Sequence, residues 1–369
     1  PRREHWYQPG FTLVANGVYQ TGDVVRQTGD YVASGVAWVP EAVAEIDPDA
    51  NTVTTIGGKR LRYDFLVVAL GCELNFDGID GFEPKLVGTN GIGCTYAGPE
   101  GAAATFRASQ AFVENGGVGL FTKPGTPMKC AGAPIKAAFL AASRMVNAGT
   151  RGKGEVTYLA DNDKLFAQPE TAALIKQHFD AKKIGYDYGH ILTAIEPGRR
   201  EAIFRTPKGE VTRKYDYIHV VPPMRAVAVV RESKLAWKEG ALAGGGWMEV
   251  DKRTLQHRRY PNVFGVGDTN GTPAGKTAAT VKKSAPIAMH NLASVIDGKT
   301  PTETFDGYTS CPLITEIGNA ALIEFNDDFK LTPTLPLVDP LSSNWFAWSI
   351  KLYMLRPLYL QMLHGRVPA

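Results

Sequence analysis

Four cysteines, Cys72, Cys94, Cys130 and Cys311, are the residues of this 369-residue chain with the most chemistry open to them. They are widely separated, with no C-x-x-C and no zinc-ligand spacing, so neither a disulfide framework nor a structural metal is indicated. Cys130 stands apart. It lies in TKPGTPMKCAGAP, follows Lys129, and sits just before a helix predicted from Pro134. A helix N-terminus and a neighbouring ammonium both favour thiolate over thiol, which is the nucleophilic form. An inert buried thiol is the alternative, and the commoner fate of a lone cysteine. The 7 histidines are scattered without an H-x-x-x-H spacing, so no metal chemistry is expected.

A second group of residues reads as a binding site. Val263 to Asp268 (VFGVGD) is a buried strand ending in glycines and a carboxylate, and a carboxylate at the mouth of a parallel sheet can accept hydrogen bonds from polyol hydroxyls. Lys276, with the amides of Thr277 and Ala278, would form a cationic helix N-terminus suited to an anionic ring edge. Gly71, closing the strand Leu66 to Leu70, marks another strand-to-loop crossing. No G-x-G-x-x-G occurs anywhere in the chain. Between the strand Val118 to Phe121 and the helix from Pro134, where such a phosphate-binding turn would fall, the cysteine loop stands instead, so a nicotinamide nucleotide is poorly accommodated there.

The elements that must position these groups follow from periodicity. Ala42 to Ile46, Val53 to Ile56 and Arg60 to Tyr63 predict an antiparallel meander. Helices near Phe106 to Glu114, Pro134 to Asn147 and Glu170 to Lys182 alternate with strands Val118 to Phe121 and Val156 to Ala160, the pattern of a βαβ region on a parallel sheet. Three short strands (Leu192 to Glu196, Ala202 to Arg205, Lys208 to Arg213) lead into Tyr217 to Val221, where Pro222-Pro223 closes the unit. A helix over Thr277 to Val295 follows the Asp268 strand. With 44% hydrophobic residues, 21% charged and 39 glycines, the composition is that of a folded, glycine-rich α/β protein. A net charge of +3 from 40 basic and 37 acidic residues is too balanced for a nucleic-acid partner.

Residues 344 to 363 (NWFAWSIKLYMLRPLYLQML) are aromatic and aliphatic but broken by Lys351, Arg356 and Pro357, too interrupted for a membrane span. Trp345, Phe346, Trp348, Leu352, Leu355, Leu358, Tyr359 and Met362 fall on a broad face at helical spacing, which predicts a pair of short amphipathic helices lying on a membrane surface. Burying five such side chains at roughly 2 kcal/mol each gives about 10 kcal/mol before ordering costs. A helix packed on the core or on a second subunit is the other reading.

Five segments, in order, carry a resemblance: HWYQPGFTLV (His5 to Val14), MKCAGAPIK (Met128 to Lys136), HVVPPM (His219 to Met224), TLQHRRYPNVFGVGD (Thr254 to Asp268) and YTSCPL (Tyr308 to Leu313). Together they resemble the sulfide:quinone oxidoreductase family, in particular its mitochondrial-type branch, over nearly the whole chain. The resemblance implies a flavoprotein of the disulfide-reductase type: two Rossmann-like three-layer α/β domains of dinucleotide-binding type, the first incomplete, plus C-terminal amphipathic helices. The expected division is residues 1–95 with 240–305 for FAD, 96–239 for the second unit carrying Cys130, and 306–369 for the membrane and quinone region carrying Cys311.

By the same resemblance Cys130 and Cys311 form the redox pair, resting as a disulfide or sulfur-bridged form. Hydrosulfide attacks the sulfur of Cys311, leaving a persulfide there and releasing Cys130 as the thiolate that passes two electrons through FAD to a membrane quinone. The persulfide sulfur leaves to a small thiol or sulfite acceptor. Such a bridge must be reducible, hence strained and partly accessible. Cys94, in GIGCTY, lies near where other branches carry a third catalytic cysteine, while a free buried thiol is the plainer role; Cys72 matches no cysteine of the family. Gly71, Gly267, Asp268, Lys276 and Thr277 are the expected cofactor contacts. Lys129 and Lys136 are positioned to attract the hydrosulfide anion, and Phe346, Trp348 and Tyr353 are quinone candidates. The family's first phosphate-binding unit has no counterpart here: Pro1 aligns just after its acidic residue, so the chain as written is expected to bind FAD weakly or not at all. Peripheral attachment to a bacterial cytoplasmic or mitochondrial inner membrane is implied, with room for a homo-oligomer. A flavocytochrome-type sulfide dehydrogenase subunit and a non-catalytic homologue are the competing readings.

Overall fold

The computed structural model describes residues 3–366, so Pro1 lies outside the described residues. Its centre is a five-stranded sheet in the spatial order Gly185–Asp187, Gly154–Leu159, Gly117–Thr122, Tyr217–His219, Ile92–Gly93, every pairing parallel. Helices Gly98–Asn115, Ala133–Asn147 and Pro169–Ala181 connect these strands. The first begins well before Phe106 because Pro99 occupies its opening turn, where a missing N–H costs nothing, and it stops at Gly116, whose φ is 85°. The antiparallel strands Ile191–Glu196, Glu201–Thr206 and Gly209–Lys214 form a separate three-stranded layer. The meander is Val43–Asp47, Thr52–Thr55 and Arg60–Arg62, and Leu66–Val68 pairs in parallel with Val263–Gly265 from the distant Asp268 segment.

Two features bring Cys130 and Cys311 together. Helix Ala133–Asn147 is buried on nearly every side, and its Ala137, Ala138, Ala141 and Ala142 let neighbours approach closely. The hairpin Thr309–Glu316 and Asn319–Phe325, which periodicity alone did not predict, lays Leu313, Ala321 and Ile323 into the same core cluster as those alanines. Cys311 therefore rides on a strand packed over the helix that Cys130 precedes.

The C-terminal segment departs from expectation. In place of two separate helices it is one helical run, Trp345–Ser349 and Leu355–Leu363 joined by a π-turn at Ile350–Met354. The broad apolar face divides in two. Ala347, Trp348 and Ile350 are buried, and Leu352 and Tyr359 pack toward Tyr7, Phe11 and Leu13, while Trp345, Phe346, Tyr353, Met354 and Leu358 are exposed. Polar ties fix the inner side to the N-terminal segment: Arg356 to Asp23 at 2.5 Å, Tyr19 to the Leu352 carbonyl, and His5 to Tyr359 at 2.7 Å. Among the described residues, no helix is long and apolar enough to cross a membrane.

Candidate active site

The cysteine loop is held at both ends. Lys129 bridges backbone to backbone with Lys276, and its N–H points at the Met224 sulfur, 3.3 Å away. Cys130 follows with φ 76°, a left-handed conformation that a non-glycine residue adopts only when its surroundings over-determine it. Its carbonyl accepts from the Ala133 N–H at 2.8 Å and from the Tyr96 hydroxyl at 2.9 Å. Gly132 lies against Cys311 so tightly that a Cβ there would fall 2.4 Å from the Cys311 sulfur. The position therefore admits only glycine.

The two sulfurs are unbonded thiols in hydrogen-bond contact, Cys311 buried and Cys130 partly exposed. Lys136, three residues past Ala133 and itself buried, reaches both: its Nζ is 3.7 Å from Cys130 Sγ and 3.9 Å from Cys311 Sγ. The hydrogen bond from Cys311, with the charges of Lys136 and Lys351, holds Cys130 well below the usual thiol range against the opposing effect of burial. Cys311 is the reverse case; its hydrogen bond to Cys130 and its burial keep it protonated. Burial pulls Lys136 down, but the sulfurs outweigh it and the group stays cationic. Beside the Lys136 ammonium, Cys130 is thus biased toward thiolate and Cys311 toward thiol.

The second cation is the correction the structure makes to the sequence. Lys129, adjacent in the chain, is not among the largest influences on Cys130; it acts on Asp268, Cys72 and Cys94. Lys351, which reads as an interruption of an apolar tail, is instead buried, 3% exposed, with Nζ donating to the Pro9 carbonyl at 2.8 Å and 5.9 Å from the Tyr7 ring centre. Burial and the nearby Lys136 lower it to about 7. A charge on the wrong side of an amphipathic helix was the available signal.

The expected cofactor contacts gather just beyond the Lys129–Lys276 bridge, near enough to Cys130 for its charge to act on Asp268. Gly71 and Gly267 take φ of 72° and 79°, turning the chain sharply after the paired strands. Burial raises the Asp268 carboxyl, partly offset by Lys276, and burial lowers Lys276 to about 8. The Lys276 Nζ donates to the Asp268 and Asn270 carbonyls at 2.9 and 2.7 Å and lies 3.9 Å from the Trp247 ring centre. Thr277 caps helix Ala278–Ile296 through Thr280, and its own amide is spent on the Gly275 carbonyl, so it is not free for a ligand as the sequence suggested. Thr269 Oγ1 and Asn270 Oδ1 are buried without partners beside Asp268. Unsatisfied acceptors and a hydroxyl around a buried carboxylate and ammonium fit the polyol and ring edge of a flavin.

Cys94 is fully buried, and burial pushes its thiol up to about 12. Cys72 is pushed to about 11 for the same reason, with Asp268 adding to it. Neither is a thiolate at neutral pH. After the strands Gly117–Thr122 and Gly154–Leu159, Lys123 and Asp161 pair with each other. That ion pair stands where a dinucleotide-binding turn would need open backbone.

No family model matches the chain. It is 35% identical over 367 residues to the mitochondrial sulfide:quinone oxidoreductase of Dictyostelium discoideum, covering 99% of this chain and 79% of that one. Against the mitochondrial sulfide:quinone oxidoreductase of Mus musculus it is 34% identical over 366 residues, covering 98% and 79%. Among solved structures, the sulfide:quinone oxidoreductase of the hyperthermophilic bacterium Aquifex aeolicus superposes with a TM-score of 0.80 at 21% identity, covering 99% of this chain and 84% of that one.

Proposed function

Because the chain belongs to the sulfide:quinone oxidoreductase family, we propose that it oxidises sulfide at Cys130 and Cys311 and delivers the electrons to a membrane quinone. The observation that carries this is the Lys136 ammonium within 4 Å of both sulfurs, in a site where one thiol is held ionised and the other protonated. In the oxidised form of the pair, hydrosulfide attacks the sulfur of Cys311; the Cys130–Cys311 bond breaks, a persulfide forms on Cys311, and Cys130 leaves as thiolate. Lys136 and Lys351 draw the anion in and hold the departing thiolate, so no separate base is required. A thiol or sulfite anion then takes the outer persulfide sulfur, returning Cys311 as thiolate.

FAD is the group the site suits: Gly71, Gly267, Asp268 and Lys276 would hold it, with Thr277 shaping the helix start. Bound there, it would supply a two-electron acceptor that a quinone reoxidises. Residues 1–95 and 240–305 would make the flavin-holding unit, 96–239 the unit presenting Cys130, and 306–369 the region presenting Cys311 and the membrane face. On that face Trp345, Phe346, Tyr353, Met354 and Leu358 are exposed, which suits peripheral attachment; Phe346 and Tyr353 remain candidates for the quinone, whereas Trp348 is packed inside.

The test is anaerobic titration of the flavin-loaded protein with sulfide, with and without a soluble quinone, in wild type and Cys130→Ala. Bleaching of the flavin that quinone reverses and that Cys130→Ala abolishes is the expected result. A flavin indifferent to sulfide, or one that Cys130→Ala still bleaches, would overturn the proposal.

A further inference from the structure

Cys130 holds a backbone conformation, φ 76°, that a cysteine does not take unaided. Its sulfur depends on that conformation. A relaxed φ would turn the side chain away from Cys311 and from Lys136, whose Nζ is only 3.7 Å from Sγ. The carbonyl of the same residue is where the chain can be gripped from outside, and a side chain grips it there: the Tyr96 hydroxyl donates to it at 2.9 Å. Tyr96 is 7% exposed, and burial raises its phenol well above the ordinary value, so it stays a donor at every working pH.

The mount is as rigid as the clamp. In the preceding residues the Cys94 N–H donates to Thr105 Oγ1 at 2.8 Å, and Thr95 Oγ1 shares a 2.8 Å hydrogen bond with Nε2 of the buried His219. GIGCTY drew attention through its cysteine, yet the residue of that segment that reaches the redox pair's backbone is its tyrosine.

We infer that Tyr96 is a positioning residue that holds Cys130 in its left-handed conformation and thereby keeps its sulfur beside both Cys311 and Lys136. This rests on Cys130 being the electron-donating thiol. Precise placement of a reacting group by a fixed support is worth large factors in rate, and a displacement of about 1 Å can cost about a hundredfold.

The experiment compares wild type with Tyr96→Phe, which keeps the ring and removes the donor. The first readout is alkylation of Cys130 by iodoacetamide against pH, followed by mass spectrometry of its peptide; the second is the rate of flavin bleaching at saturating sulfide. The expected result is an alkylation curve moved up by about one pH unit and bleaching slowed about tenfold, with flavin content and the quinone KM unchanged. A lowered melting temperature with both readouts unmoved means a packing role only and overturns the inference. Should Tyr96→Phe lose its flavin, the alkylation curve is read on protein carrying 3-fluorotyrosine at 96, a stronger donor of the same shape. A curve moved to lower pH then agrees, and an unmoved curve overturns. If Cys130→Ala still bleaches with sulfide, the functional reading fails instead, a result that Tyr96→Phe cannot produce.

Discussion

Cys94 and the Cys130–Cys311 pair are the same chemistry in two settings. Cys94 is wrapped in apolar core, where two backbone hydrogen bonds and the charge of Lys129 only partly oppose burial, and its thiol rises to about 12. Cys130 is less enclosed, and there a hydrogen bond from Cys311 and the charges of two lysines outweigh the effect of burial. Burial alone keeps a cysteine protonated; a hydrogen-bonding thiol and close cations favour the thiolate, because the same low dielectric that penalises a lone charge strengthens a paired one. Position in the core therefore says little about a thiol until its charged neighbours are known.

The sharpest break in that contrast is Cys311→Ala. It removes both the attacked sulfur and the hydrogen bond to Cys130, and sulfide-driven flavin reduction is expected to fall by about three orders of magnitude or more in stopped-flow measurements. Next is Lys136→Met. With its nearest cation gone, Cys130 should drift toward the Cys94 condition, its thiol rising by about 1–3 units and its alkylation at pH 7 slowing in proportion.

Lys351→Met should act on reactivity more gently and on stability in the opposite sense. The folded group sits at about 7 against an ordinary 10.5, so between those values the unfolded chain binds more protons and stability rises with pH. The variant removes the buried ammonium. It should be more stable than wild type at pH 7, by at most about 5 kcal/mol, and the share of the stability rise from pH 7 to 10.5 that Lys351 supplies should vanish, leaving what Lys276 adds above about 8 and what the raised Cys72 and Cys94 thiols take away above about 9. A Lys351→Met protein that melts lower at pH 7 would show that the Pro9 tie outweighs the buried charge. The smallest effect belongs to Cys94→Ala: bleaching rates within about twofold of wild type, with a stability loss of about 1–2 kcal/mol for the vacated volume. A large kinetic effect there would erase the contrast.

Much of the frame was legible in the sequence. Strand runs such as Val118 to Phe121 and helix signals such as Pro134 and Asn147 mark local propensity, and the structure moves those boundaries by a residue or two. Cys130 and Cys311 were singled out by resemblance, since nothing in their spacing predicts that a hairpin over an alanine-rich helix unites them. In the sequence Lys351 reads only as a break in the apolar tail, and Tyr96 only as a neighbour of Cys94. Each acts across a long stretch of chain, whereas Lys129 draws the reading because it is the neighbour of Cys130 in the chain. Periodicity reports which face of a helix is apolar; it does not report that a π-turn and a tie to Pro9 carry a lysine from the tail into the core.

The ties between the tail and residues 5–23 also set an order of assembly. As the chain leaves the ribosome, Cys130, Lys136 and Cys311 emerge before residue 351, and the helix that brings the second ammonium cannot close on Pro9, Tyr19 and Asp23 until it too has been made. The electrostatic setting of the cysteine pair is therefore completed by a segment made after both cysteines, docking on one made long before them.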